Sequence, residues 1–508
     1  MGGALVALLA LLVYRATLLP GVGTWDTAEA QTVPPLMGTM HPTGFPAYVL
    51  LGWLASVVLQ PLGSAALRMN LLSAALVSAA VLGLVLIARR LGVRLLIALG
   101  AAAGFALTPI TWAIATAADV HALQVALLAL VVLLLLRWEA AVAAWRRGEL
   151  PDGRAQSDRS LVLGAAAFGL AAGNHGLTLL LLPAVGAFVL AVDAGVLRRP
   201  RTVIAAVGVA VGIAALLYLE LPLRAGPFRA PLVYDHPETW DGFWRVVLGS
   251  QFGASASNML DDPLGTLLSP FVLAMEQLGP LALLVPVGLV VTIRRRPTYA
   301  LLSGLAAAVI AIFAVFYDNA DIGRYYLGPL FFSWTWLAVL GSAVVDWVAG
   351  PARNRDTTAG GVRHGAVAVT LAVTIVLLAP TAMSLPARWR EVDRSSDTAA
   401  ATWLDEAFGA MAPEAVVVSW WSFSTPMWYG QLIEGRRPDV AIVDDRTRLD
   451  EHLGSVNDVI DAYIDTRPVY VIRAHGSDLQ TVREQFVIES VGNPVNLYRV
   501  IGRQETSP

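Results

Sequence analysis

Apolar runs long enough to cross a bilayer recur through most of this chain. A helix needs about 20 apolar residues to span ~30 Å of hydrocarbon. Runs near that length occupy 2–20, 68–88, 95–115, 119–137, 161–174, 176–193, 202–219, 267–293, 298–317, 326–348 and 365–385, so eleven spans are expected. Two of them, 161–174 and 176–193, are short and flank Asn174-His175, like one broken pair. The apolar segment 44–60 is shorter than a span and flanked by Pro42, Pro46 and Pro61, which suits an interfacial helix. In hydrocarbon each backbone polar group must be satisfied within its own element. The expected fold is therefore mainly α, a polytopic helical membrane bundle.

Charge divides the chain in two. Of its 73 charged side chains (35 basic, 38 acidic), 31 fall in the 123 residues from 386 onward. We expect a transmembrane domain over 1–385 and a water-soluble domain over 386–508. "AVVVSW" (415–420), "DVAIVDD" (439–445), "PVYVIR" (468–473) and "QFVIES" (485–490) read as strands. Helical stretches fall between them, at Thr425–Glu434 and Leu449–Tyr463, which makes a small α/β domain. It carries no GxGxxG and no Walker pattern, and Asp444-Asp445 reads as a solvated strand end before a metal pair. A net charge of −3 excludes a broadly basic nucleic-acid binder. With no Cys, a thiol nucleophile, a disulfide scaffold and a Cys zinc site are excluded.

Every basic residue is Arg, and Arg in short loops stays cytoplasmic. One set of loops carries 17: Arg89, Arg90, Arg94, Arg137, Arg146, Arg147, Arg154, Arg159, Arg198, Arg199, Arg201, Arg294, Arg295, Arg296, Arg353, Arg355 and Arg363. The opposite set carries five: Arg68, Arg224, Arg229, Arg245 and Arg324. This split places the N-terminus in the cytoplasm, with loop 21–67 and, for an odd span count, the C-terminal domain outside. The expected location is a cell membrane, crossed many times. Met1-Gly-Gly lacks the positive leader of a signal peptide, which is consistent with a start codon further upstream.

Polar groups next to apolar spans are costly, so they tend to be paired or functional. Here they gather at the outer ends. The first outer loop holds Asp26 and Glu29 in "WDTAEAQ", then His41 in "HPTGFP". Asp119 and His121 open the fourth span, Asn174 and His175 form the next outer turn, and Arg224 follows the seventh span. Asp318, Asp321, Arg324 and Tyr325 lie between the ninth and tenth. Each has a plain structural reading. Asp26 and Glu29 fit the first turn of a helix, where the dipole favours acids. His41 fits a turn cap, His121 and His175 fit satisfied bundle histidines, and Arg224 and Arg324 fit snorkelling interfacial residues. Their convergence on one face suits an anionic lipid headgroup beside a general base.

The same residues carry a resemblance. An acid in the first outer loop, interfacial helices, then a span opening with Arg ("LRMNLLSAALV") resembles the GT-C class of integral-membrane glycosyltransferases. The chain is also similar to a bacterial domain family related to a vertebrate transmembrane protein O-mannosyltransferase. That similarity runs through "WDTAEAQ", "HPTGFPAYVLLGWL", "GLAAGNHGLTLLLLP", "LYLELPLRAGP", "DIGRYYLGPLFF" and "WYGQLIEGRRPDVAIV". The resemblance implies a sugar, with mannose the family-based guess, carried on polyprenyl phosphate in the lipid bilayer. It implies direct, inverting transfer on the outer face to a hydroxyl of protein Ser/Thr, a glycan or a lipid. It assigns Asp26 as general base, with Glu29 beside it as rival. Glu29 and His41 would position acceptor or sugar, and Arg324, less firmly Arg224, would hold phosphate. Asp119, His121, Asn174, His175, Asp321 and Tyr325 complete the substrate-binding candidates. The C-terminal domain would present or select the acceptor. The sequence assigns no cofactor, and a divalent metal stays open. The alternative class is a transporter or lipid flippase, which would favour inverted repeats and midplane polar groups; neither is visible in the sequence.

Overall fold

The computed structural model describes residues 1–149, 153–250, 263–317, 321–349, 359–473, 476–494 and 496–504. Asp318, Arg353 and Arg355 lie outside these residues. The bundle opens with α1 (Gly2–Ala16), α2 (Trp25–Leu36) and α3 (Pro46–Val58), followed by α4 (Ala65–Arg90), α5 (Leu95–Ala106) and α6 (Pro109–Thr116). Next come α7 (Val120–Arg146), α8 (Gly153–Ala172), α9 (Leu182–Asp193), α10 (Pro200–Tyr218), α11 (Glu220–Ala225) and α12 (Trp240–Leu248). The bundle closes with α13 (Pro263–Leu278), α14 (Val285–Arg295), α15 (Pro297–Val315), α16 (Leu327–Ala349) and α17 (Ala359–Val392).

Among the described residues eight helices are long and apolar enough to cross a membrane, and nine if the bent pair α5–α6 is one span. The expected eleven divide into these nine, plus α1, which is short, and α8, which carries Arg154, Asp158 and Arg159 near its start. Trp421, far along the chain, bonds to Asp26 in the first loop, so the two lie on one face and an even number of crossings separates them. Among the described residues the eight helices meet that parity, and so do the nine spans taken together with α8, which packs along α7 and α10. Outward apolar side chains suit a lipid surround: Ile204, Val207, Val211 and Leu216 on α10, and Leu5, Leu8 and Leu12 on α1, are all exposed. The interior is packed with Trp112, Trp334, Phe105, Phe331 and Tyr14. Gly104 is required there, because a Cβ would come within 2.2 Å of the Trp334 ring.

The segment expected to lie at the interface is α3. Its 13 residues rise only ~20 Å, too little to cross.

The C-terminal part adds α18 (Ala399–Ala410), α19 (Trp421–Trp428), α20 (Asp445–Asp450), α21 (Val456–Tyr463) and α22 (Gly476–Arg483) around one sheet. Its strands are β1 (Val416–Val418), β2 (Ala441–Val443), β3 (Val469–Ile472), β4 (Phe486–Ser490) and β5 (Leu497–Arg503), in the order β2-β1-β3-β5-β4. The first three are parallel; β5 is antiparallel to both β3 and β4. The four expected strands are present, and β5 is additional.

Asp444 is not the solvated strand end expected. It is 1% exposed, accepts from Ser424 Oγ at 2.6 Å and caps α20 through Arg446 N at 2.8 Å. Burial pushes its carboxyl up to about 6, against a usual 3.8. The folded chain therefore binds this proton more tightly than the unfolded chain. Stability falls as pH rises between those two values and stays lower above them, by roughly 3 kcal/mol at neutral pH. Asn caps a helix as well as Asp. Asp444→Asn is expected to raise the unfolding temperature by a few degrees at pH 7.5, with the gain shrinking at pH 5, as followed by scanning fluorimetry.

Candidate active site

A buried amide pair fixes the first loop to the bundle. Gln31 Nε2 donates to Asn70 Oδ1 at 2.8 Å, and Gln31 Oε1 accepts from Gly23 N at 2.8 Å. Asn70 donates to Leu19 O at 2.8 Å and accepts from Ala118 N at 2.8 Å. Two side chains thus tie α2 to α4 and to the turn before α7, which sets the spacing between Asp26 and Asp119. The "HPTGFP" stretch folds as a turn closed by Gly44 N donating to His41 O at 2.8 Å, and Gly44 takes φ +80°, a conformation that favours glycine.

Asp26 sits in the first turn of α2, 38% exposed at the mouth of the bundle. Its Oδ2 accepts from Arg324 Nη1 at 3.2 Å and its Oδ1 from Trp421 Nε1 at 3.1 Å. Burial opposes its charge, but His41, Arg324 and the Trp421 bond outweigh that and hold its carboxyl below the usual range. Glu29, one turn on, is buried. Its Oε1 accepts from His41 N at 2.7 Å, and its Oε2 pairs closely with His41 Nδ1. Burial also opposes charge on His41, yet Glu29 and Asp26 push its imidazole up to about 9. The two carboxylates thus favour the protonated imidazole, while burial pushes the Glu29 carboxyl up.

Arg324 is shared among three carboxylates. Besides Asp26, it reaches Asp119 Oδ2 at 3.8 Å and pairs closely with Asp321, whose side chain is 59% exposed. Asp119 also accepts from His121 Nδ1 at 2.9 Å and from His121 N at 2.7 Å. Burial raises its pKa, but His121 and Arg324 overcome this and bring it down to about 2. Rings close the inner wall: His121 lies 5.0 Å from His175 and 5.5 Å from Tyr325, and Phe45 lies 5.2 Å from His175. Burial, with His121 and His41 adding to it, keeps His175 well below the usual histidine value. Its Nδ1 accepts from Leu177 N at 3.1 Å, so this neutral ring carries its hydrogen on Nε2.

Asp26, Glu29, His41, Asp119, His121, His175, Asp321, Arg324 and Tyr325 are thus brought together. Two candidates are not. Asn174 points inward, donating to Val120 O at 3.3 Å and Gln124 Oε1 at 3.2 Å. Arg224 ends α2 by donating to Met37 O at 2.5 Å and Leu36 O at 3.2 Å. Its guanidinium is spent on carbonyls that the helix end leaves unpaired.

The ligand atoms of Asp26, Glu29 and His41 all lie within 4.8 Å of one another, so these three could hold a divalent cation once His41 gave up its proton. Such an ion would add positive charge to a mouth that already holds the Arg324 guanidinium.

The C-terminal domain supplies groups not anticipated. Trp421 and Trp428 line a cavity with Glu29, Tyr234, Arg446 and Asp450. Arg446 bonds Asp235 at 2.5 Å and Asp450 at 2.9 Å and lies over the Tyr234 ring at 4.8 Å, which latches the loop between α11 and α12 onto α20. The available signal was position: Trp420-Trp421 follow the carboxyl end of β1, where open α/β sheets place their binding groups.

Residues 26–195 match the family model described as the protein O-mannosyl-transferase TMEM260 N-terminal domain, about a third of the chain. ArnT from Cupriavidus metallidurans, solved with undecaprenyl phosphate, is similar along 98% of this chain and 97% of its own, at 15% identity and a TM-score of 0.55. Its apo form gives 14% identity over the same shares and a TM-score of 0.57. The Archaeoglobus fulgidus oligosaccharyltransferase, tethered to an acceptor peptide containing the NVT sequon, is similar along 99% of this chain and 74% of its own, at 15% identity and a TM-score of 0.52. At these identities the solved structures speak for the fold. It is the GT-C membrane fold expected from the first loop, with the small C-terminal sheet at its end.

Proposed function

We propose that this GT-C-type membrane protein transfers a sugar, mannose being the first to test, from a polyprenyl-phosphate donor to a hydroxyl, with protein Ser/Thr as leading acceptor. The observation that carries the reading is the meeting of Asp26, Glu29, His41, Asp119 and Arg324, drawn from distant parts of the chain, at one mouth of the bundle. The family match supports a glycosyltransferase, and the undecaprenyl phosphate bound by ArnT supports a lipid-linked donor. The donor's tail lies in the bilayer with its phosphate at headgroup level. Arg324 keeps Nη1 on Asp26, while the phosphate takes the place of the exposed Asp321 carboxylate on Nη2. Asp26 accepts the hydroxyl proton as the acceptor oxygen attacks the anomeric carbon. The bond to phosphate breaks on the opposite face, its electron pair leaving with the phosphate, and the anomeric configuration inverts. Arg324 and His41 stabilise the departing charge.

Asp26 suits the base role better than Glu29. Glu29 is 2% exposed with both oxygens on His41, whereas Asp26 opens to the mouth. Glu29 then acts by keeping His41 charged and placed. In this reading residues 1–385 form the catalytic body and 386–508 an outer domain, although α17 runs unbroken through that boundary. A topology reporter fused after Pro508 is expected to be active outside the cytoplasm; a cytoplasmic signal would put the mouth on the other face. Turnover of a polyprenyl-phosphate sugar by the purified chain tests the function itself.

A further inference from the structure

Trp421 belongs to the C-terminal domain, 395 residues from Asp26 along the chain, yet its indole Nε1 donates to Asp26 Oδ1 at 3.1 Å. The ring is held on several sides. Its centroid lies 5.8 Å from His41, 5.8 Å from Tyr234 and 5.9 Å from Trp428, edge-on in each case. The helix that carries it is held as well. Neighbouring Trp420 packs edge-on against Trp25 at 5.1 Å, and Tyr429 OH accepts from Ala66 N at 3.2 Å. The two oxygens of Asp26 are therefore fixed by different parts of the protein: Oδ2 by Arg324 of the bundle, Oδ1 by Trp421 of the C-terminal domain. Two donors in fixed places leave the carboxylate one orientation. Trp421 also lines the cavity above Glu29, so an acceptor entering there meets the indole beside the base.

We infer that Trp421 is a positioning residue, through which the C-terminal domain sets the orientation of the Asp26 carboxylate and becomes part of the transfer machinery. The inference rests on Asp26 serving as general base. The charged groups around Asp26 are Arg324, His41, Asp119 and Glu29, with Asp321 behind Arg324, and Trp421→Phe replaces none of them.

The test uses the full chain in lipid nanodiscs with a polyprenyl-phosphate sugar. Trp421→Phe keeps an aromatic ring and loses the N–H. It is expected to lower kcat about tenfold with donor KM unchanged, the size of one lost hydrogen bond to a charged group. Trp421→His, which keeps a ring N–H, should recover part of that loss. In the Asp26→Asn background, Trp421→Phe should cost less than about twofold, because groups acting as one unit are not additive. The inference is overturned if Trp421→Phe leaves kcat unchanged. It is also overturned if the tenfold loss persists in full with Asn at position 26, or if Phe and His variants lose activity and thermal stability alike. If Asp26→Asn keeps normal turnover, the base assignment falls and the positioning role falls with it. If Asp26→Asn is slow while Trp421→Phe is normal, only the positioning role is lost.

Discussion

Asp26→Asn is expected to fold, insert and bind donor, and to transfer sugar at least ~100-fold more slowly than the native chain. The substitution is nearly isosteric, and its amide oxygen can still accept from Trp421 while its NH2 gives up the Arg324 bond, so the side-chain volume at the mouth survives. What disappears is a carboxylate held ionised by His41, Arg324 and Trp421. Steady-state kinetics should place the loss in kcat, with donor KM close to native. Glu29→Gln should weaken activity by another route, by releasing His41, and should leave more turnover than Asp26→Asn. If Glu29→Gln abolishes transfer while Asp26→Asn does not, the two acids exchange roles.

Arg324→Ala should have the second largest effect. It removes the one guanidinium that Asp26, Asp119 and Asp321 share and leaves three carboxylates facing one another. Donor binding is expected to weaken about 10- to 100-fold, the range of a lost charge-assisted bond. Arg324→Lys keeps the charge without the fork, so its loss should be intermediate. Titration with a polyprenyl phosphate, followed by intrinsic fluorescence or calorimetry, measures this directly. Unchanged affinity in Arg324→Ala would make the residue an organiser of carboxylates and remove it from phosphate binding.

Some of this was legible in the chain and some was not, for physical reasons. Spans are forced by the bilayer, so their apolar runs are visible in any window; α8 shows the limit, since its run at 161–174 is short and Arg154, Asp158 and Arg159 occupy the start of the helix. The first-loop acids and the His41–Pro46 turn are local patterns, and Asp26, Glu29 and His41 do meet. Arg224 shows what local pattern cannot decide. A lone Arg at a span end suits a phosphate or a helix terminus equally, and the bonds of Arg224 to the α2 carbonyls could not be read from its neighbours in sequence. Asp444 seemed exposed because the chain around it is polar; Ser424, 20 residues away, buries it. Strand β5 is interrupted by Arg499 and Gly502 and gains its place from pairing with β3 and β4. Trp421 is the extreme case, since its partner lies 395 residues away.

The most direct test is turnover by the purified full-length protein in nanodiscs, supplied with mannosyl polyprenyl phosphate and a Ser/Thr-containing peptide, with mass and anomeric configuration of the product read by mass spectrometry and NMR. The expected result is a peptide one hexose heavier, with inverted configuration, formed by the native chain and at least ~100-fold more slowly by Asp26→Asn. A folded native protein that transfers no sugar from any polyprenyl-phosphate donor to any hydroxyl acceptor, or that transfers it equally well without Asp26 and Glu29, would contradict the account.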